Sequence, residues 1–80
     1  MKNSEILAKL QKIMNEINED VKLSDNTALI GENLLDSLEL INYLTQIEEI
    51  FGVEISLEEL KEAELGLVSN MIAYLSERVY

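Results

Sequence analysis

Eighty residues suffice for one domain, residues 1–80, with a small core, because a chain this short buries only ~60% of its unfolded surface. Sixteen acidic residues against six basic ones give a formal charge of −10, which argues against nucleic acid and anionic membrane surfaces and favours protein partners with basic patches. The absence of cysteine excludes a disulfide framework, thiolate metal ligands and a cysteine nucleophile.

No apolar run is long enough to span a membrane, and the amphipathic start MKNSEILAKLQKIMNEI lacks the apolar centre of a secretion signal. A soluble, cytoplasmic, monomeric protein is therefore expected. With no proline, three glycines and an apolar fraction of 48%, the composition favours helices with a Leu, Ile and Val core.

The first helix is predicted from about Ser4 to Asn18. Ile6, Leu10, Ile13 and Ile17 recur at helical steps, and Leu7 and Met14 widen the stripe. Ser4 or Asn3 is the expected N-cap. A long connection follows from Glu19 to Leu35, mixing turn-prone residues with Val21, Leu23, Leu29, Ile30 and Leu34. Its hydrophobes predict that it packs back on the core, with a single helical turn allowed near Thr27–Ile30. The second helix is predicted from Ser37 to Phe51, ended by Gly52, which tolerates positive φ. Val53 and Ile55 form a short extended segment with both side chains turned inward. Ser56 and Glu59 then match the S-x-x-E capping box of a brief third helix. A fourth helix starts near Gly66 or Leu67 and carries Val68, Met71, Ile72, Leu75 and Val79 on one face. The expected fold is all-α: a small four-helix bundle, three helices longer and one short, with a long loop between the first and second.

The stretch LLDSLEL, residues 34–40, has a purely structural reading. Asp36 caps the second helix, Glu39 completes a capping box, and Leu35 with Leu40 forms a hydrophobic staple. Leu38 does not fit that reading. At ~100° per residue, Leu40, Leu44, Ile47 and Phe51 fall within about 60° of one another, and Leu38 lies nearly opposite. A second strip results: Ser37, Leu38, Ile41, Thr45, Glu48 and Glu49. An apolar centre with acidic flanks suits a transient docking surface.

Ser37 has no histidine to act as its base, no nearby lysine and no G-x-S-x-G elbow. The glycines are too dispersed for a phosphate loop, and a calcium loop starting at Asp25 fails because its sixth residue is Ile30. No enzyme activity and no metal site are therefore expected. Ser37 reads instead as a site that another enzyme modifies, since a helix N-terminus suits an attached phosphate.

Taken together, these residues resemble the acyl carrier protein family along nearly the whole chain. The likeness rests on Asp36-Ser37-Leu38 opening a long helix and on IEEIFGVEI at Ile47–Ile55. The preceding loop and the closing pattern of Val68, Ile72 and Leu75 complete it. It implies a 4′-phosphopantetheine arm on Ser37, beside Asp36, added from coenzyme A by a phosphopantetheinyl transferase. It also places Leu38, Ile41, Glu48 and Glu49 at positions that dock partners: an acyl- or aminoacyl-loading ligase and downstream enzymes with basic patches. Asn42, Thr45 and Leu67 depart from carriers of fatty-acid synthesis, whereas LLDSLELI is more similar to stand-alone carriers of specialised pathways and to D-alanyl carriers. The alternatives are thus an acyl carrier, a D-alanyl or aminoacyl carrier, and an unmodified acidic helical adaptor.

Overall fold

The computed structural model describes residues 2–30 and 34–79. Four helices follow in order: α1 (Asn3–Ile17), α2 (Ser37–Phe51), α3 (Leu57–Glu62) and α4 (Val68–Arg78). They form the expected all-α bundle, in which α1 packs on both α2 and α4. Strand pairing among the described residues is limited to one isolated antiparallel bridge, Ala28 to Leu67.

The apolar stripes account for the core. Ile6, Leu10, Ile13 and Met14 of α1 meet Leu44, Ile47 and Phe51 of α2 and Val68, Met71, Ile72 and Leu75 of α4. Two corrections concern detail. Neither Asn3 nor Ser4 caps α1, because the chain is still extended at Lys2, whose carbonyl accepts from the N–H groups of Glu5 and Ile6. The helix thus starts a residue earlier, and both candidate caps lie inside its first turn. The inward face of α2 also reaches further round than Leu40–Phe51 suggests: Tyr43 is buried, whereas Leu40 is half-buried.

The connection between α1 and α2 packs inward through Val21, Thr27 and Leu29. Residues 27–30 form no helical turn. Backbone bonds to a distant segment hold them instead: Leu29 N–H donates to Gly66 O (2.8 Å) and Val68 N–H to Thr27 O (2.9 Å). Ser69 N–H donates to Asp25 O (3.1 Å), so loop carbonyls cap α4 where no side chain does. Gly66 makes room at this crossing: a Cβ there would lie 2.7 Å from Ile30 Cδ1, so the partly exposed Ile30 side chain would have to shift. At the other end of the loop, the Gln11 side chain mimics a backbone unit. Its Nε2 donates to Val21 O (3.0 Å) and its Oε1 accepts from Leu23 N–H (2.7 Å).

Both ends of α2 form as the sequence predicts, with an Asp36–Glu39 capping box and Gly52 in the left-handed region at φ 68°. The Ser56–Glu59 capping box starts α3. Glu59 has a second task, since its Oε2 accepts from the hydroxyl of Tyr74 of α4 in a partly buried bond (2.6 Å). This bond first, and then the Ser56 backbone N–H, hold the Glu59 carboxyl below the usual carboxylate range. A depressed folded-state pKa contributes stability that is present above the unfolded value and lost as pH falls through the folded one. Wild type should therefore melt above Glu59→Gln at pH 7, and the gap should close below about pH 4. Melting curves across that range check this; a gap that persists in acid would refute it.

Candidate functional site

The site is the first turn of α2 together with the outer face that runs down from it. At its start, Asp36 Oδ1 accepts from Glu39 N–H (2.8 Å), Glu39 Oε1 accepts from Asp36 N–H (3.1 Å), and Leu40 N–H donates to Asp36 O (2.9 Å). Leu35 and Leu40, on either side of the cap, are half-buried against the core and pin the turn. The N–H groups of Ser37 and Leu38 are left without an intrahelical acceptor, as expected for the first two helical residues.

Ser37 is exposed, and its hydroxyl makes no hydrogen bond to a described residue. Capping belongs to its neighbours, so the hydroxyl is fixed in place yet chemically uncommitted. An anion attached there would meet two N–H donors without intrahelical acceptors at the positive end of a fifteen-residue helix. The turn therefore fits a phosphodiester on the Ser37 oxygen. Asp36 and Glu39 are accommodated at the same end because each already accepts one N–H bond.

The outer face lies where the helical wheel puts it. Leu38 is 79% exposed and Ile41 56%, and Thr45 and Glu49 are also exposed. Thr45 turns its hydroxyl back to donate to Ile41 O (2.9 Å). Glu48 has a further role that periodicity could not reveal. It is half-buried, and its Oε2 accepts from Ile55 N–H (2.9 Å), tying the segment after Gly52 to α2. One carboxylate oxygen of Glu48 is thus structural, whereas the Glu49 carboxylate makes no hydrogen bond to a described residue. Leu57 of α3, 67% exposed, adds another outward aliphatic.

Among the described residues, no three or more His, Cys, Asp or Glu side chains are grouped to hold a metal ion. No described helix is long and apolar enough to cross a membrane. Chemically, then, the arrangement offers a held hydroxyl, an anion-compatible helix end and an apolar strip with acidic flanks.

A family model described as a phosphopantetheine attachment site matches residues 4–75. No curated protein and no solved structure matches the chain.

Proposed function

The chain belongs to the phosphopantetheine-attachment-site family and is a carrier of covalently bound 4′-phosphopantetheine, and from that premise we propose that Ser37 is the attachment point in a single 1–80 acyl-carrier domain. The observation that carries this reading is the exposed Ser37 hydroxyl, which makes no hydrogen bond to a described residue, on a turn where the N–H groups of Ser37 and Leu38 have no intrahelical acceptor. In the loading step, Ser37 Oγ would attack the pyrophosphate of coenzyme A on a phosphopantetheinyl transferase. A phosphodiester forms, the serine proton passes to a base of that enzyme, and adenosine 3′,5′-bisphosphate leaves. When attached, the arm supplies a terminal thiol, absent from the polypeptide, that holds cargo as a thioester. Asp36 and Glu39 keep the turn in place, and Leu38, Ile41, Glu48 and Glu49 form the face that meets basic partner surfaces. A dedicated acyl pathway suits the LLDSLELI form best, with D-alanyl or aminoacyl carriage as the second reading. We place the carrier in the cytoplasm as a monomer.

Co-expression with a promiscuous transferase, followed by intact-mass measurement and peptide mapping, tests the attachment point. The mass of one arm on the peptide containing Ser37 supports it. An unmodified chain in the presence of active transferase would leave only the acidic adaptor, which needs no arm.

The docking face carries its own prediction. Glu49→Lys should slow arm loading several-fold at low salt, with the loss shrinking as salt rises, because a rim charge acts mainly on encounter. Glu48→Gln should slow loading less and leave melting nearly unchanged, since an amide oxygen still accepts the Ile55 N–H. Glu48→Lys should impair both. Initial rates at two ionic strengths, with melting curves alongside, separate the three. Equal rates for wild type and Glu49→Lys would remove the docking role.

A further inference from the structure

We infer that Tyr43 is a cargo-recognition residue, whose hydroxyl donates to the carbonyl oxygen of an uncharged acyl group carried on the arm. This rests on the arm being attached at Ser37.

Tyr43 is 1% exposed, and among the described residues its hydroxyl is the one buried side-chain polar atom with no hydrogen-bond partner. Leaving such a donor unpaired is costly, and phenylalanine would fill nearly the same space without that cost. The other buried tyrosine shows the usual solution: the Tyr74 hydroxyl donates to Glu59 Oε2 at 2.6 Å. No described residue plays the part of Glu59 for Tyr43, so its hydroxyl is open to an acceptor from outside the chain.

Position indicates which acquired group can serve. Tyr43 lies six residues beyond Ser37 on the same helix, an axial rise of ~9 Å. The half-buried Leu40 sits between them on the inward side. The arm is about as long as five extended residues, roughly 17 Å, so its far end can fold back over that distance. Cargo at the end of the arm is then a tethered acceptor held near Tyr43 at high local concentration.

Chemistry narrows the class. Each amide of the arm would bring its own N–H into a core lined by Ile6, Leu10, Ile13 and Ile47, exchanging one orphan donor for another. An aminoacyl group would bring an ammonium ion, which this apolar interior does not accept. The carbonyl of a simple acyl thioester brings an acceptor and no donor. The interior therefore discriminates in favour of acyl over aminoacyl cargo.

The test loads wild type and Tyr43→Phe with three arms: the bare arm, a hexanoyl arm and an alanyl arm, each transferred from the corresponding coenzyme A derivative. Tyr43 ring signals in NMR spectra and melting temperatures are recorded. Hexanoyl should shift the Tyr43 signals and raise the melting temperature above that of the bare-arm form; alanyl should do neither. Tyr43→Phe with the bare arm should melt at or above wild type, and its gain from hexanoyl should be smaller. A bare-arm Tyr43→Phe that melts below wild type would mean that the hydroxyl is already bound, to an internal water for example, and would overturn the proposal. So would identical Tyr43 signals in the hexanoyl and alanyl forms. If no arm mass appears on Ser37, the attachment reading itself fails and this inference falls with it; a loaded Ser37 with unresponsive Tyr43 signals defeats this inference alone.

Discussion

Ser37→Ala is expected to abolish arm addition completely while leaving the melting temperature within a few degrees of wild type. The loss should be total because, among the described residues, no other hydroxyl follows a capping-box aspartate at a helix start. The small effect on folding follows from the division of labour in the first turn. Asp36 and Glu39 satisfy each other's N–H groups, so nothing in the cap depends on the serine hydroxyl. Alanine is also the better helix former at an exposed helical position. Asp36→Ala provides the contrast, since removing an N-cap carboxylate costs about 0.5–2 kcal/mol. It should lower the melting temperature and slow loading by loosening the turn, without blocking it. Intact mass and thermal melts of the two variants check both statements. Arm mass on Ser37→Ala would move the attachment elsewhere, and a large fall in its melting temperature would give Ser37 a structural role.

Local features of the sequence specified α2 closely. The capping box, the stop at Gly52 and the outward Leu38 depend on neighbours within about one turn or on helical period, which a single chain displays directly. The features missed depend on contacts between distant segments. Gln11 serves the loop through backbone groups ten and twelve residues away, which no periodicity marks. The crossing of residues 27–29 with 66–68 takes the place of the helical turn that the sequence allowed there, because the backbone bonds to another segment rather than to itself. Glu48 counts as a surface acid on the wheel, yet it accepts a bond from Ile55 N–H because the chain turns back after Gly52. Tyr43 lies at the edge of the apolar arc of α2, where a tyrosine is equally at home in the core or at the surface; only the packed bundle decides. The site was more legible than its support for the same reason. The proposed attachment serine and docking strip occupy one helix, whereas the loop that completes the bundle is built from long-range pairs.

The wheel also makes its sharpest quantitative claim on this helix. Leu44 is 6% exposed and Leu38 is 79% exposed, although they are six residues apart on the same element. Leu44→Ala should cost about 2–5 kcal/mol, the transfer and cavity terms of a buried leucine. A chain of this length has roughly 4–12 kcal/mol of stability in all, at ~0.05–0.15 kcal/mol per residue. The variant should therefore melt at least about 8 °C lower, given ~4–8 °C per kcal/mol for a domain this small. Leu38→Ala removes little buried area and should change stability by less than about 0.5 kcal/mol, the range of ordinary surface substitutions. Its effect should appear instead in the rate at which a partner loads the arm. Denaturant titrations of both variants, paired with loading rates, separate the two faces. Leu38→Ala destabilising the fold as much as Leu44→Ala would place Leu38 in the core and remove the docking strip. A stable Leu44→Ala would mean that the bundle is held by contacts other than this apolar arc.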